Sequence, residues 1–115
     1  MRLVHRQNGT ERDLATRVET ADTFLSRARG LMFRRSISEE YALVFRFDDA
    51  SRRNLHMVFV PFPIDALWLR GRRVERSKRL SAWTGLGWGV ADTIVELPAG
   101  AADGVEVGDV VELVE

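Results

Sequence analysis

The sequence predicts an α+β domain that is mostly β: a partly closed barrel or strongly bent sheet of short strands, with one α-helix near the N-terminus. Three observations lead there. Apolar residues alternate in several short runs, glycine, proline and Asn-Gly punctuate those runs, and one stretch near the N-terminus carries apolar residues at helical spacing. With 115 residues the chain forms a single domain, 1–115, long enough to bury a core without disulfide staples. Apolar residues make up 45% of it, which argues against disorder.

The elements follow in order. Leu3 to His5 and Leu14 to Val18 read as two strands, and Asn8-Gly9 between them favours a tight hairpin turn. Asp22 can cap a helix through about Leu31, with Phe24, Leu25, Ala28, Leu31 and Met32 on one face. Tyr41, Leu43, Phe45 and Phe47 alternate with Ala42, Val44 and Arg46 as a strand. Leu55 to Val60 continues as strand and Pro61 and Pro63 bend it. Ile64 to Leu69 and Val74 to Leu80 are strands joined by a turn at Gly71. Residues 82–90, AWTGLGWGV, read as a mobile or ligand-facing loop, because glycine frees the backbone and tryptophan offers a flat apolar surface. Thr93 to Leu97 is a strand, Pro98 to Asp103 a short helical turn ended by Gly104, and Val110 to Val114 the last strand.

The run from Asn54 to Leu69, NLHMVFVPFPIDALWL, is almost wholly apolar yet contains His56 and Asp65. Apolar residues on both of its faces indicate a central position, covered on both sides. Ionisable groups inside such a run are either satisfied polar residues of a core or the wall of a site. A neutral imidazole beside a carboxylate can act as a base, but no serine in a recognisable elbow lies nearby. Asp65 also has a structural reading, accepting backbone N–H bonds at the bend.

Composition excludes several chemistries. There is no cysteine, so disulfides, thiolate zinc sites and cysteine nucleophiles are impossible. Only His5 and His56 are present, at no metal-ligand spacing, and Asp48-Asp49 reads as a solvated turn, so no metal is expected. GLGWG at 85–89 lacks the spacing of a nucleotide fingerprint, and no cofactor is expected. The N-terminal MRLVHRQNGTERD has no apolar signal region, and no apolar run is long enough to span a membrane. The expected compartment is the cytoplasm, without membrane contact.

Charge is unevenly spread. Residues 1–79 hold all 17 Lys and Arg against 10 Asp and Glu, whereas residues 80–115 hold 7 acids and no base. The two ends are expected to neutralise each other in the fold. The arginine-rich 70–79 segment, near Trp68 and Trp83, also has the composition of a single-stranded nucleic-acid surface, although a solvated, charge-protected strand edge explains it more simply.

Four segments carry a family resemblance: Ala21-Asp22-Thr23 through Ala28-Arg29-Gly30-Leu31-Met32; HMVFVPFPIDALWL; ELPAG at Glu96–Gly100; and GVEVGD at Gly104–Asp109. In this order they resemble the domain-of-unknown-function family numbered 192, in an archaeal version, over most of the chain. The resemblance implies a compact β-rich domain with one helix, and no established reaction, cofactor or substrate. Where many bacterial relatives have Trp-Met-Lys-Asn-Thr, this chain has His56-Met57-Val58-Phe59-Val60, which leaves Met57 and Asp65 as matched positions.

The leading expectation is a non-catalytic domain that binds a small molecule or a protein partner. Its ligand contacts would be Arg29, His56, Asp65, Trp83 and Trp88, in a cleft between the 55–69 strands and the 82–90 loop. The first alternative is a hydrolase or isomerase using His56 and Asp65. The second is nucleic-acid binding by the 70–79 basic segment, which ranks below the other two as a partner class.

Overall fold

The computed structural model describes residues 1–21 and 30–115. The described chain forms eight strands: β1 (Arg2–Gln7), β2 (Thr10–Ala15), β3 (Arg17–Ala21), β4 (Tyr41–His56), β5 (Ile64–Arg70), β6 (Arg73–Leu80), β7 (Leu86–Pro98) and β8 (Val110–Val114). They make one sheet in the order β2-β1-β8-β6-β5-β7-β4-β3. Only β3 and β4 run parallel; the other pairs are antiparallel.

This corrects the expected fold class. Among the described residues the fold is all-β, a single open mixed sheet, with no helix and no closed barrel. The helix expected from Asp22 to Leu31 falls on residues 22–29, which lie outside the described residues; its last two positions, Gly30 and Leu31, are in a turn, with Gly30 at φ 51°. The open sheet has β2 and β3 as its edges, joined through Thr16, and the Thr16 and Arg17 amides both donate to the Glu40 carbonyl.

The hairpin β1–β2 forms at the expected place. Asn8 and Gly9 take φ of 51° and 79°, the left-handed pair that a two-residue turn needs to match strand twist. Pro98–Gly104 makes successive turns rather than a helix: Ala101 N–H donates to Pro98 and Asp103 N–H to Gly100.

Alternation on the central strands builds a core on each face of the sheet. Ala42, Val44, Leu67, Leu69, Val95 and Leu97 pack on one side with Leu3, Leu14 and Val111. Tyr41, Leu43, Phe45, Ile64, Ala66, Trp68 and Ile94 pack on the other with Leu31, Met57 and Val60. β5 is therefore covered on both sides, as its apolar sequence predicts.

The strands β4 and β7 are long, contrary to the expectation of short strands throughout. Their pairing shifts register between Arg46 and Ser51, and beyond that irregularity Ser51–His56 pairs with Leu86–Ala91 as a two-stranded ribbon. This ribbon lies over Trp68: a Cβ on Gly87 or Gly89 would come within 2.8 or 2.7 Å of the indole, and Trp68 Nε1 donates to the Arg53 carbonyl at 3.0 Å. The expected 82–90 loop is thus in large part strand, and its glycines serve close packing.

The expected charge neutralisation is visible. Arg79 pairs with Asp103, and Arg72 and Arg6 with Glu112, joining the basic and acidic parts of the chain.

Candidate functional site

A cleft of about 540 Å³ opens beside the ribbon. It is lined by Gly30–Met32, by Phe45, Phe47 and residues 52–56 of β4, by Val60, and by Ile94 and Glu96 of β7. Alternation explains the lining. Phe45 and Phe47 share one face of β4, and Ile94 and Glu96 share that face of β7, so Glu96 projects into apolar surroundings on the side opposite the buried Val95 and Leu97.

Glu96 is the chemically unusual group. It is only 6% exposed, and its carboxylate has no hydrogen-bond partner among the described residues. Burial pushes its pKa up to about 7, against the weaker opposing pull of the Arg34 guanidinium. Gly30 lies beside it, where a Cβ would stand 3.5 Å from Glu96 Oε1 and 3.2 Å from Phe45 Cζ. Glu96 is not among the residues expected at a site, although an acid amid Ile94, Val95 and Leu97 at the head of ELPAG is a signal in the sequence.

The five residues expected at a site do not assemble. Arg29 lies outside the described residues. His56 is exposed at the end of β4 and borders the cleft, its Nδ1 accepting the Val58 N–H at 3.3 Å. Asp65 is buried on the opposite face of the sheet, beside Leu67 and Leu69. It accepts the Gly100 and Ala102 N–H groups at 2.9 and 3.0 Å and the Arg79 guanidinium at 2.8 Å. His56 and Asp65 therefore form no acid–base pair, and Asp65 takes the structural role of anchoring the 98–104 turns.

The tryptophans are separate too. Trp83 is exposed in the turn before β7, with φ 66° and its N–H donating to Val60. Trp88 lies on the outer side of the ribbon beneath the guanidinium groups of Arg52 and Arg76, at 4.4 and 5.3 Å from its ring centroid.

Among the described residues Trp83 is one of three exposed aromatics with left-handed backbone. Phe33 and Phe59 have φ of 69° and 60°, and their rings stack at 4.9 Å. The Phe33 N–H donates to the Phe59 carbonyl, so the turns at 30–34, 57–60 and 81–85 are tied together next to the cleft.

A second polar cluster holds the hairpin to the C-terminal strand. Buried His5 bridges Arg12, which donates to Nδ1 at 3.2 Å, and Asp109, 2.8 Å from Nε2. Burial pushes the Asp109 carboxyl up, but hydrogen bonds from the Glu106 amide, His5 and Gln7 outweigh it and leave the pKa lowered. Among the described residues no group of three acidic or histidine side chains is placed to hold a metal ion, and no helix is long and apolar enough to cross a membrane.

Comparison with known proteins places this arrangement. The domain-of-unknown-function family 192, described as Uncharacterized ACR, matches residues 4–113. The chain belongs to this family. A UPF0127 protein of Thermococcus sibiricus is 38% identical over 102 residues, covering 84% of this chain and 65% of that protein. Another, from Thermococcus kodakarensis, is 35% identical over 68 residues, covering 58% of this chain and 43% of that protein. The chain thus spans less than two thirds of these curated relatives, which are archaeal, as the sequence motifs suggested. Two bacterial crystal structures share the fold. A Sinorhizobium meliloti protein superposes with a TM-score of 0.84 at 24% identity, over 96% of this chain and 91% of its own. A protein of unknown function from Novosphingobium aromaticivorans gives 0.84 at 23%, over 97% and 84%. In this family 192 member the motif residues divide by role: ELPAG supplies Glu96 to the cleft, whereas GVEVGD supplies Asp109 to the His5 cluster.

Proposed function

We infer that this domain binds a small molecule in the cleft beside the ribbon, with Glu96 as the polar anchor. The observation that carries this reading is a largely buried carboxyl group with no partner among the described residues, at a cleft of about 540 Å³ whose walls are mainly apolar and carry Arg52, Arg53, Asn54 and His56 along one side. A carboxyl group so largely buried is disfavoured in its charged form unless a partner meets it, and ligand sites are where such groups are found. The ligand that fits has an apolar body, to lie against Leu31, Phe45 and Ile94, and a hydrogen-bond donor or cationic head to meet Glu96. Binding rather than catalysis is favoured because His56 and Asp65 lie on opposite faces of the sheet and form no acid–base pair.

The test is an NMR titration of the methyl-labelled protein with a panel of small primary amines and amidines bearing alkyl or aryl groups. Expected are saturable shifts of the Leu31 and Ile94 methyl groups, weakened about tenfold or more in Glu96→Gln, as for loss of a charge-assisted hydrogen bond. Absence of saturable shifts at these methyl groups across the panel, or equal affinity in Glu96→Gln, would overturn the assignment.

A further inference from the structure

The outer side of the β4–β7 ribbon carries a different arrangement. Trp88 of β7 lies beneath two guanidinium groups, Arg52 from β4 at 4.4 Å and Arg76 from β6 at 5.3 Å. Three strands distant in sequence thus converge on one indole. The two guanidinium carbons are no more than about 10 Å apart, since both stand over one ring. Neither guanidinium is paired with a carboxylate among the described residues. Two acids close to them in sequence have partners of their own: Asp49 is held by Arg53 at 2.9 Å and Glu75 by Arg70 at 3.7 Å. Lys78 adds positive charge beside them, its Nζ donating to the Leu86 carbonyl at 2.8 Å. His56 and Asn54 lie on the same outward side of β4 as Arg52, opposite Leu86 and Trp88.

We propose that Arg52 and Arg76, held over Trp88, form a binding site for a phosphate-type oxyanion. A guanidinium stacked on an indole keeps its edge N–H donors free while losing much of its rotational freedom, which lowers the cost of ordering it around an anion. Two such forks with Lys78 close by, and no carboxylate paired to either among the described residues, select a compact phosphate dianion or a phosphodiester over a cation or a neutral group. The charge comes from β4 and β6 together, so the 70–79 segment contributes through Arg76 and Lys78 and not as a whole. The oxyanion site faces Trp88, whereas Glu96 stands at the other wall of the cleft, which Arg52 borders as well.

The experiment is a titration with inorganic phosphate at fixed ionic strength, following the three tryptophan indole N–H signals by NMR. Expected is a saturable shift of Trp88 with Trp68 and Trp83 unmoved, and loss of about tenfold or more in affinity in Arg52→Ala and Arg76→Ala. Both arginines lie at the surface, so the variants keep the fold, and an unchanged Trp68 signal reports that. A Trp88 signal that does not move, or that moves equally with chloride, overturns the site, as does unchanged affinity in both variants. A second arm uses a single-stranded oligothymidylate of roughly ten nucleotides. Binding about tenfold or more tighter than phosphate, falling steeply with salt, supports the site with a nucleic-acid strand as the phosphate source. Affinity equal to that of free phosphate supports it with a small phosphorylated molecule.

Discussion

Gly89 lies against Trp68 so closely that a Cβ placed on it would come within 2.7 Å of the indole Cγ. Trp68 cannot yield easily, because it is fully buried and its Nε1 is tied to the Arg53 carbonyl. The ribbon therefore closes over the core only where β7 has no side chain. Gly89→Ala is expected to lower stability by about 1–3 kcal/mol, the cost of overpacking a filled site. Urea denaturation checks this: the midpoint falls while the slope is unchanged.

That contact also explains what the sequence could and could not disclose. Asn8-Gly9 announces its hairpin because the turn chemistry lies within the turn itself. The alternation of Tyr41–Phe47 and the two-sided burial of Ile64–Leu69 are likewise local patterns, and both appear in the structure. The glycines at 85–89 carry the same local signal whether they confer mobility or admit a partner, and for Gly87 and Gly89 the partner is Trp68, about twenty residues away in sequence. His56 and Asp65 looked like neighbours across one bend. The chain turns at 57–60 through a left-handed Phe59, leaving His56 at the surface and Asp65 on the far face. Glu96 was visible as an acid in an apolar strand, but its place at the cleft, without a partner among the described residues, depends on the order of β5, β7 and β4, which no local pattern encodes.

Asp65 is expected to matter for stability and not for ligand binding. Its removal strands the Gly100 and Ala102 N–H groups, the second in a buried setting. Asp65→Ala should cost about 2–4 kcal/mol, mostly from those unsatisfied donors, since the Arg79 partner is half exposed and adds little. Thermal unfolding with a panel titration on the same variant separates the effects: a lower Tm with unchanged ligand affinity is the expected pair.

The exposed aromatics at left-handed positions make a third prediction. Phe59 at φ 60° and Trp83 at φ 66° hold a conformation that bulky side chains rarely adopt, at about 1–3 kcal/mol each. Asparagine tolerates that region, so Trp83→Asn is expected to raise stability by a fraction of that cost, because Trp83 is 56% exposed and loses little burial. Phe59→Asn should gain less, since it also gives up the stack on Phe33. Differential scanning calorimetry of the two variants orders them; destabilisation by Trp83→Asn would show that the indole contributes to the fold.

Glu96 sets the pH dependence. Its carboxyl is raised from the ordinary 4.5 to about 7, so between these values the folded protein binds a proton that the unfolded chain releases. Stability then falls as pH rises: the contribution is fully present below about pH 4.5 and lost as pH passes through about 7. The loss across that window is on the order of 3 kcal/mol as an upper figure, because water entering the cleft relaxes the burial that causes it. Glu96→Gln removes the titrating group while keeping its shape, so the variant should be the more stable at pH 8 and nearly level with the native chain at pH 5. Urea midpoints at both pH values measure the difference. A native protein whose Glu96-dependent stability rises from pH 5 to pH 8 would mean that the carboxylate is paired, and the cleft would lose its anchor.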